Sequence, residues 1–592
     1  MKKQYEDLLQ YVERPGRYIG GEINSIVKDW NSVDLKVALA FPDIYDIGMS
    51  HLGIKILYHI LNSRSNILCE RVFAPWSDME ALLRRDNLPL FSLESNRSVS
   101  EFDIVGFSFA HELNYTNVLN ILNMSGIPLR SEERDASHPL IIAGGPCAFN
   151  PEPMADFIDI FLIGDGEEAV PEIVECCISM KRSGRTMNKA DILKELASIE
   201  GVYIPGLYEP SYAGGRFHKI TPREKYAPAV IKKRLLKNLE ASVYPSKQIV
   251  PYIPVVHDRV SLEIMRGCPH RCRFCQATMI YSPVRLRSEK ALFEIGKAAQ
   301  AMTGHDEISL LSLSTGDYPG VVNLLHLMAD EFKPQGVSIS LPSLRVEDSI
   351  ESLPSIIRKI KKTGLTFAPE VGSSRLRKFI NKNIDSDTLL CAAKKAYELG
   401  WRKIKLYFMI GFPGETEEDV DSIINLAYDI LSTKDKSRRG TAEITISVSS
   451  FIPKAHTIFQ WEAMAAKEVL KSKISRLRSK LHSGKIKLNV HNVDMSILEA
   501  IFSRGDRRTG LLVETAYKKG ARFDNWKDIF KPEIWQASVA ECGIDIMPYL
   551  GSLKYTDPLP WSHINAGQDN DLLIRENILA HEEAGITSCG HL

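Results

Sequence analysis

Cys268, Cys272 and Cys275 fall within eight residues, in the segment R-G-C-P-H-R-C-R-F-C, while the other seven cysteines are scattered. Tight clustering in a long chain of reducing-compartment type reads as metal or cluster ligation rather than a disulfide framework. Three soft thiolates can hold three irons of a 4Fe-4S cluster. No fourth cysteine lies nearby, so one iron is left open to a small ligand. The alternative is zinc, which at structural sites takes four ligands and would recruit His270. Gly267 lets the loop turn, and Phe274 can shield the cluster or abut a ligand.

The motif follows a strand, and the strands downstream also end in segments able to do chemistry. Loops at the C-terminal ends of strands are where barrel enzymes place their reactive groups. The second strand ends in S-T-G-D (314–317) and the third in P-S-L-R, with Ser343 and Arg345 on one side because strand side chains alternate. The fourth runs into F-A-P-E-V-G-S-S-R, and the fifth into M-I-G-F-P-G-E-T. There Gly411, Pro413 and Gly414 make a rigid turn, and Thr416 can cap a helix that opens with acidic residues. The last strand leads to Lys454 and His456, which could meet substrate or deliver a proton.

The elements that must position these residues repeat strand then helix over 257–455. Strands are expected at 261–266, 307–313, 337–344, 364–370, 403–410 and 443–451, six units of a partial (β/α)6 barrel. Residues 34–180 carry near-continuous apolar strands at 35–41, 103–109, 139–143 and 158–163, with helical stretches between them. That pattern predicts a doubly wound, Rossmann-like α/β domain whose parallel sheet is covered on both faces. Residues 1–33 read as an N-terminal cap and 181–256 as a connector. Residues 456–592 read as an α-rich C-terminal extension that starts with a helix over 461–481.

At 592 residues the chain is too long for one core, so several domains are expected. Lys+Arg and Asp+Glu are both 74, which removes whole-molecule attraction to nucleic acid and leaves only local basic faces. Two such stretches are K-S-K-I-S-R-L-R-S-K (471–480) and S-R-G-D-R-R (503–508). No apolar run reaches the roughly 18 residues of a membrane helix. The segment M-K-K-Q-Y-E-D-L-L-Q has no long apolar run, so no secretory signal is expected and the expected location is cytoplasmic.

C-P-H-R-C-R-F-C resembles the C-x3-C-x-aromatic-C signature of the radical S-adenosylmethionine (SAM) superfamily. The resemblance implies a 4Fe-4S cluster whose open iron is chelated by SAM, and a one-electron reductant such as flavodoxin or ferredoxin. It also implies reductive cleavage of SAM to a 5′-deoxyadenosyl radical that abstracts hydrogen from substrate. S-T-G-D resembles the superfamily's Gly-Gly-Glu motif, which implies that Gly316 and Asp317 meet the SAM amino group. Glu370 resembles the acidic residues that hold the SAM ribose, and Arg375 can reach its carboxylate. M-I-G-F-P-G resembles the G-x-I-x-G-x-x-P segment that meets adenine, without its first glycine.

The domain over 34–180 resembles the cobalamin-binding domain fused to many radical SAM enzymes, through I-I-A-G-G-P-C-A-F-N-P-E-P (141–153) and D-I-F-L-I-G-D-G-E-E-A (159–169). The D-x-H-x-x-G signature is absent. Asp46, His51 and Gly53 stand at another spacing, so His51 is not assigned to cobalt. Over nearly its whole length the chain resembles a group of uncharacterised bacterial radical SAM proteins, and more distantly the methylthiotransferases. Where that group ends in a cysteine-rich tail, Cys589 stands alone. The function this implies is methyl or methylthio transfer to RNA or another macromolecule, with cobalamin as a methyl carrier. The alternative is a non-catalytic sensor or scaffold that binds SAM or cobalamin.

Overall fold

The computed structural model describes residues 2–183, 188–341, 365–382, 384–434 and 441–587. Ser343, Arg345 and Cys589 lie outside the described residues. Six strands build the first sheet: β1 (Leu35–Phe41), β2 (Ile67–Phe73), β3 (Ile104–Ser108), β4 (Leu140–Gly144), β5 (Ile160–Leu162) and β6 (Val202–Tyr203). Their order is β2-β1-β3-β4-β5-β6, and every pair is parallel except β5 with β6. β1 is almost wholly buried because L-K-V-A-L-A-F is apolar on both faces, and it serves the cores on either side of the sheet.

β2 was not legible as an apolar run because it carries Glu70 and Arg71 at its centre. Arg71 is buried there and pairs with Glu22 at 2.7 Å and Glu94 at 2.6 Å. A buried charge is tolerated when it is paired and hydrogen-bonded in this way. The chain direction across the sheet reverses between β1 and β3. In doubly wound sheets the crevice for ligands lies at that point, outside the C-terminal strand ends.

The connector holds a hairpin of β7 (Tyr208–Ala213) and β8 (Arg216–Pro222), then the short β9 (Ile231–Lys232). The second parallel wall begins with β10 (Val260–Glu263), followed by an antiparallel clamp of β11 (Met265–Arg266) and β12 (Arg285–Leu286). It continues through β13 (Glu307–Leu311), β14 (Ser338–Ser340), β15 (Leu365–Glu370), β16 (Lys403–Ile410) and β17 (Glu443–Ser450). The described pairings are β10-β13-β14 and β15-β16-β17-β18, all parallel, where β18 (Ile486–Val490) extends the wall by one strand beyond the six expected.

The helix expected from residue 461 starts at Lys467. The preceding segment gives its backbone to a partner loop: Trp461 accepts from Leu553 N–H at 2.8 Å, and Met464 N–H donates to Leu550 at 2.9 Å. The C-terminal region then folds back on the first domain. β19 (Ile564–Asn565) pairs with β9, and Leu512, Val513 and Phe523 enter the same core as Phe107 and Tyr115. Thr116 donates to Asp524 at 2.6 Å, and Asn117 accepts from Phe523 N–H at 2.8 Å. Among the described residues no helix is long and apolar enough to cross a membrane.

Candidate active site

The cysteine loop leaves the wall at Gly267, whose φ is +89°. A Cβ there would sit 2.9 Å from the Tyr281 carbonyl oxygen and 3.0 Å from that of Pro283, so the turn requires glycine. Cys272 is buried, while Cys268 and Cys275 are half-buried. Cys275 N–H donates to the Cys272 carbonyl at 3.1 Å, which closes the last turn of the motif before the helix Gln276–Ile280. Arg273, between the cysteines, turns inward and is 2% exposed. Its guanidinium donates to the Lys378 carbonyl at 2.9 Å, the Phe379 carbonyl at 3.1 Å and the Glu583 carboxylate at 2.9 Å. Its N–H donates to Ile380 at 3.0 Å. Asn381 fixes the Arg271 carbonyl at 3.0 Å, and Gln276 fixes that of Ala455 at 3.2 Å. Phe274 lies 6.4 Å, centroid to centroid, from Phe412 of the fifth-strand turn.

The S-T-G-D turn faces this loop. His270 Nε2 is 2.7 Å from Asp317 Oδ2, and the Ser314 hydroxyl also donates to that oxygen. Gly316 lies inside the short turn Thr315–Asp317. On the fourth strand Glu370 takes a left-handed φ of +67° beside a bulge, an unusual conformation for a residue with a Cβ. Its Oε1 is 3.6 Å from Lys382 Nζ.

On the fifth strand Gly411 has φ +91°, and a Cβ would meet Leu470 at 2.7 Å. Its N–H donates to the Glu415 carboxylate at 2.6 Å, which in turn takes Lys473 at 2.6 Å. Burial raises the Glu415 pKa against the pull of Lys473. Pro413 lies between Gly411 and Gly414 in that turn. Arg375, expected at the SAM carboxylate, is committed elsewhere. It donates to the Gly414 carbonyl at 2.8 Å, pairs with Asp419, and reaches the Ala584 carbonyl at 3.4 Å. Its role is to tie the fourth-strand helix to the fifth-strand turn.

Lys454 and His456 are likewise committed to the fold and do not stand free at the barrel mouth. Lys454 Nζ lies 2.7 Å from both Glu112 and Glu499. Burial alone would lower the lysine pKa, but the two carboxylates outweigh it and hold it above its ordinary value. His456 Nε2 bonds the Phe149 carbonyl at 2.8 Å, and burial lowers its pKa to about 4. Most of the basic side chains in the stretches expected to meet RNA are paired within the fold, while Lys471 and Arg478 are exposed. Lys473 pairs with Glu415, Arg476 with Asp421 and Glu417, and Lys480 with Asp421. Arg507 pairs with Glu152 and Arg508 with Asp506, while Arg504 is buried on the Glu462 and Gly551 carbonyls.

Between the two sheets lies a cavity of about 610 Å³. One wall is the C-terminal edge of the first sheet, with Gly106, Gly144 and Gly164; the other includes Met265 to Gly267 and Ser312 to Leu313. It therefore opens beside the residues that enter both the cysteine loop and the S-T-G-D turn. His51 also lines it. Burial lowers the His51 pKa to about 4, so the imidazole is neutral near pH 7, and its shielded Nδ1 has no hydrogen-bond partner.

The residues fit the groups that the resemblance implies. Three cysteines on one anchored loop supply the soft donors of an iron–sulfur cluster with one open iron. The cavity offers mostly apolar walls and strand ends without side chains, a surface suited to a large ligand with an apolar rim.

Comparison with known proteins bears on both domains. Residues 53–205 match the family described as radical SAM proteins, N-terminal, and residues 262–427 match the radical SAM superfamily. An uncharacterized protein of Methanocaldococcus jannaschii is 29% identical over 84% of this chain and 98% of its own length. A ribosomal protein uS12 methylthiotransferase RimO of Thermoanaerobacter is 24% identical over 46% of this chain and 65% of its own. An uncharacterized methyltransferase of Pyrococcus horikoshii is 24% identical over 48% of this chain and 57% of its own. The chain thus spans only about three fifths of those last two. The radical SAM methyltransferase TsrM of Kitasatospora setae, solved with cobalamin and a [4Fe-4S] cluster bound, shares the fold with a TM-score of 0.53 at 13% identity, covering 86% of this chain and 99% of TsrM. With both modules matched in order and the three-cysteine loop at the head of the second, this chain belongs to the radical SAM superfamily and is a radical SAM enzyme.

Proposed function

We propose that this enzyme transfers a methyl or methylthio group to RNA or another macromolecule, with cobalamin in the cavity between the two sheets. The observation that carries this reading is the position of that cavity, whose wall runs from the doubly wound sheet edge to Gly267 and Leu313, the approaches to the cysteine loop and to Asp317. Cys268, Cys272 and Cys275 would ligate the cluster, which supplies an electron for the reductive cleavage of SAM. Asp317 and Glu370 would bind the polar groups of SAM, and the Gly411–Gly414 turn would meet its adenine through backbone groups. Gly316 would let the backbone of the S-T-G-D turn approach the SAM amino group closely, and Phe274 would keep water from the cluster side. Cobalamin, when bound, supplies a methyl carrier. The electron donor is a small redox protein of the flavodoxin or ferredoxin class.

The macromolecular acceptor follows the relatives, one of which is named for ribosomal protein uS12 and another for a tRNA adenosine derivative. On the helix Lys467–Ser479, Lys473 and Arg476 are paired with carboxylates and only Lys471 and Arg478 stand exposed, which gives little support to an RNA face there. The test is anaerobic reconstitution with iron and sulfide, reduction, and assay of SAM turnover with total RNA and added cobalamin, beside Cys272→Ala. Cluster-dependent turnover that transfers a methyl group to a macromolecular fraction is expected. A fully loaded cluster with no SAM turnover under any of these conditions would overturn the reading.

A further inference from the structure

We propose that Asp165 is a positioning residue for the cluster, whose carboxylate closes the neck of the cysteine loop from the neighbouring domain. The inference rests on the reading of Cys268, Cys272 and Cys275 as cluster ligands. The loop leaves β11 at Arg266 and returns into β12 at Arg285, and these two arginines are paired directly across the antiparallel clamp. All three cysteines and the helix Gln276–Ile280 lie between them. Like charges directly opposite each other on two strands repel, so the neck needs an anion to stay shut.

Asp165 follows β5 of the first sheet and stands at the N-cap of the helix Gly166–Arg182. An aspartate there ordinarily bonds its own helix, but this one makes no cap bond. Its Oδ1 takes Arg266 at 2.9 Å. Its Oδ2 takes Arg285, and also the Leu236 N–H at 2.8 Å. The carboxylate is 9% exposed. Burial opposes its ionisation, but the two guanidiniums outweigh burial and hold the carboxyl below its ordinary pKa. Arg266 has further carboxylates in Glu167 at 2.5 Å and Glu263 at 2.9 Å. Among the described residues no other carboxylate pairs with Arg285, whose remaining bonds go to the Leu236, Tyr281 and Pro283 carbonyls at 2.9, 3.1 and 3.2 Å. Asp165 is therefore the anion that neutralises Arg285 and spans the neck. Asp165, Glu167, Arg266 and Gly267 also line the cavity, so its wall and the neck of the cysteine loop are one structure.

The experiment follows anaerobic loss of iron to a chelator from four reconstituted full-length proteins: wild type, Asp165→Asn, Arg285→Gln and the double variant. Iron content after reconstitution and urea midpoints are recorded beside it. Asp165→Asn keeps the shape and removes the charge. Iron loss from it is expected to be about tenfold faster than from wild type, the rate equivalent of one lost charge-assisted hydrogen bond. In the Arg285→Gln background the facing charge is gone, so the same substitution should change the rate by about threefold at most. Equal acceleration in both backgrounds makes Asp165 ordinary packing between domains and overturns the proposal, as does no acceleration in either. If Asp165→Asn alone does not fold, a double variant that folds and holds its iron supports the proposal, and one that does not overturns it. A wild-type chain that takes up no iron overturns the cluster-ligand reading as well.

Discussion

His270 Nε2 lies 2.7 Å from Asp317 Oδ2, so a residue between the first two motif cysteines grips the acidic end of the next strand's turn. The contact fixes two loops against each other at the place where a ligand of the cluster would also need its amino group met. Asp317→Ala is expected to weaken SAM binding by roughly 10- to 100-fold, the size of one lost charge-assisted hydrogen bond. Iron content should stay unchanged, because the cysteines are untouched. Equilibrium binding of SAM to the reconstituted protein measures the first, and iron analysis the second. Unaltered SAM affinity would remove Asp317 from the site.

Arg273 anchors the cysteine loop from below. It is almost fully enclosed, and four protein groups depend on its backbone N–H and guanidinium. Arg273→Met should destabilise the chain by about 3 kcal/mol, since two carbonyls and Glu583 lose a donor at once. The larger consequence falls on the loop, so iron loading should drop along with the urea midpoint. A variant of wild-type stability and iron content would contradict this anchoring.

Much of the architecture was legible because it follows from simple patterns. The apolar run 35–41 became β1, and the strand ends 411–414 became the turn held by Glu415. What escaped depended on partners distant in sequence. β2 hides behind Glu70 and Arg71, whose burial makes sense only with Glu22 and Glu94 in place. The strand β18 lies in a segment of mixed composition and joins the wall only through its register with β17. Arg375, Lys454 and His456 have types suited to chemistry, but each is consumed by partners from 39 to 342 positions away. His51 went the other way, from an odd spacing to a cavity wall.

Three enclosed imidazoles set an acid limit on stability. Burial lowers His51, His456 and His563 each to about 4. In the unfolded chain they titrate near 6.5, so below that pH the unfolded state binds more protons than the folded one. Their contribution is complete above about pH 6.5 and is lost as pH falls toward 4, by about 3 kcal/mol for each. Urea midpoints at a series of pH values should fall across that window. His456→Asn, which suits the left-handed φ of +63° and cannot titrate, should flatten the slope by about a third. An unchanged slope in the variant would show that His456 is not one of the groups responsible.

Lys454 joins three parts of the chain: its own strand end, Glu112 after β3, and Glu499 on the helix Val493–Ser503. Ser503 donates to the same Glu112 oxygen at 2.7 Å, so the network is built for a cation at its centre. Lys454→Met would leave two enclosed carboxylates facing each other without that cation. The expected cost is about 3–5 kcal/mol, the usual result of stripping one partner from a buried ion pair. Glu112→Gln in the Lys454→Met background should recover part of it, because one uncompensated charge is then removed. Urea denaturation of the two single variants and the double variant forms a cycle that reads the coupling directly. A structural strut predicts coupling of at least about 1 kcal/mol with SAM affinity unchanged in the folded variants. Additive effects together with a selective loss of substrate affinity would instead return Lys454 to the role its place at a strand end suggested.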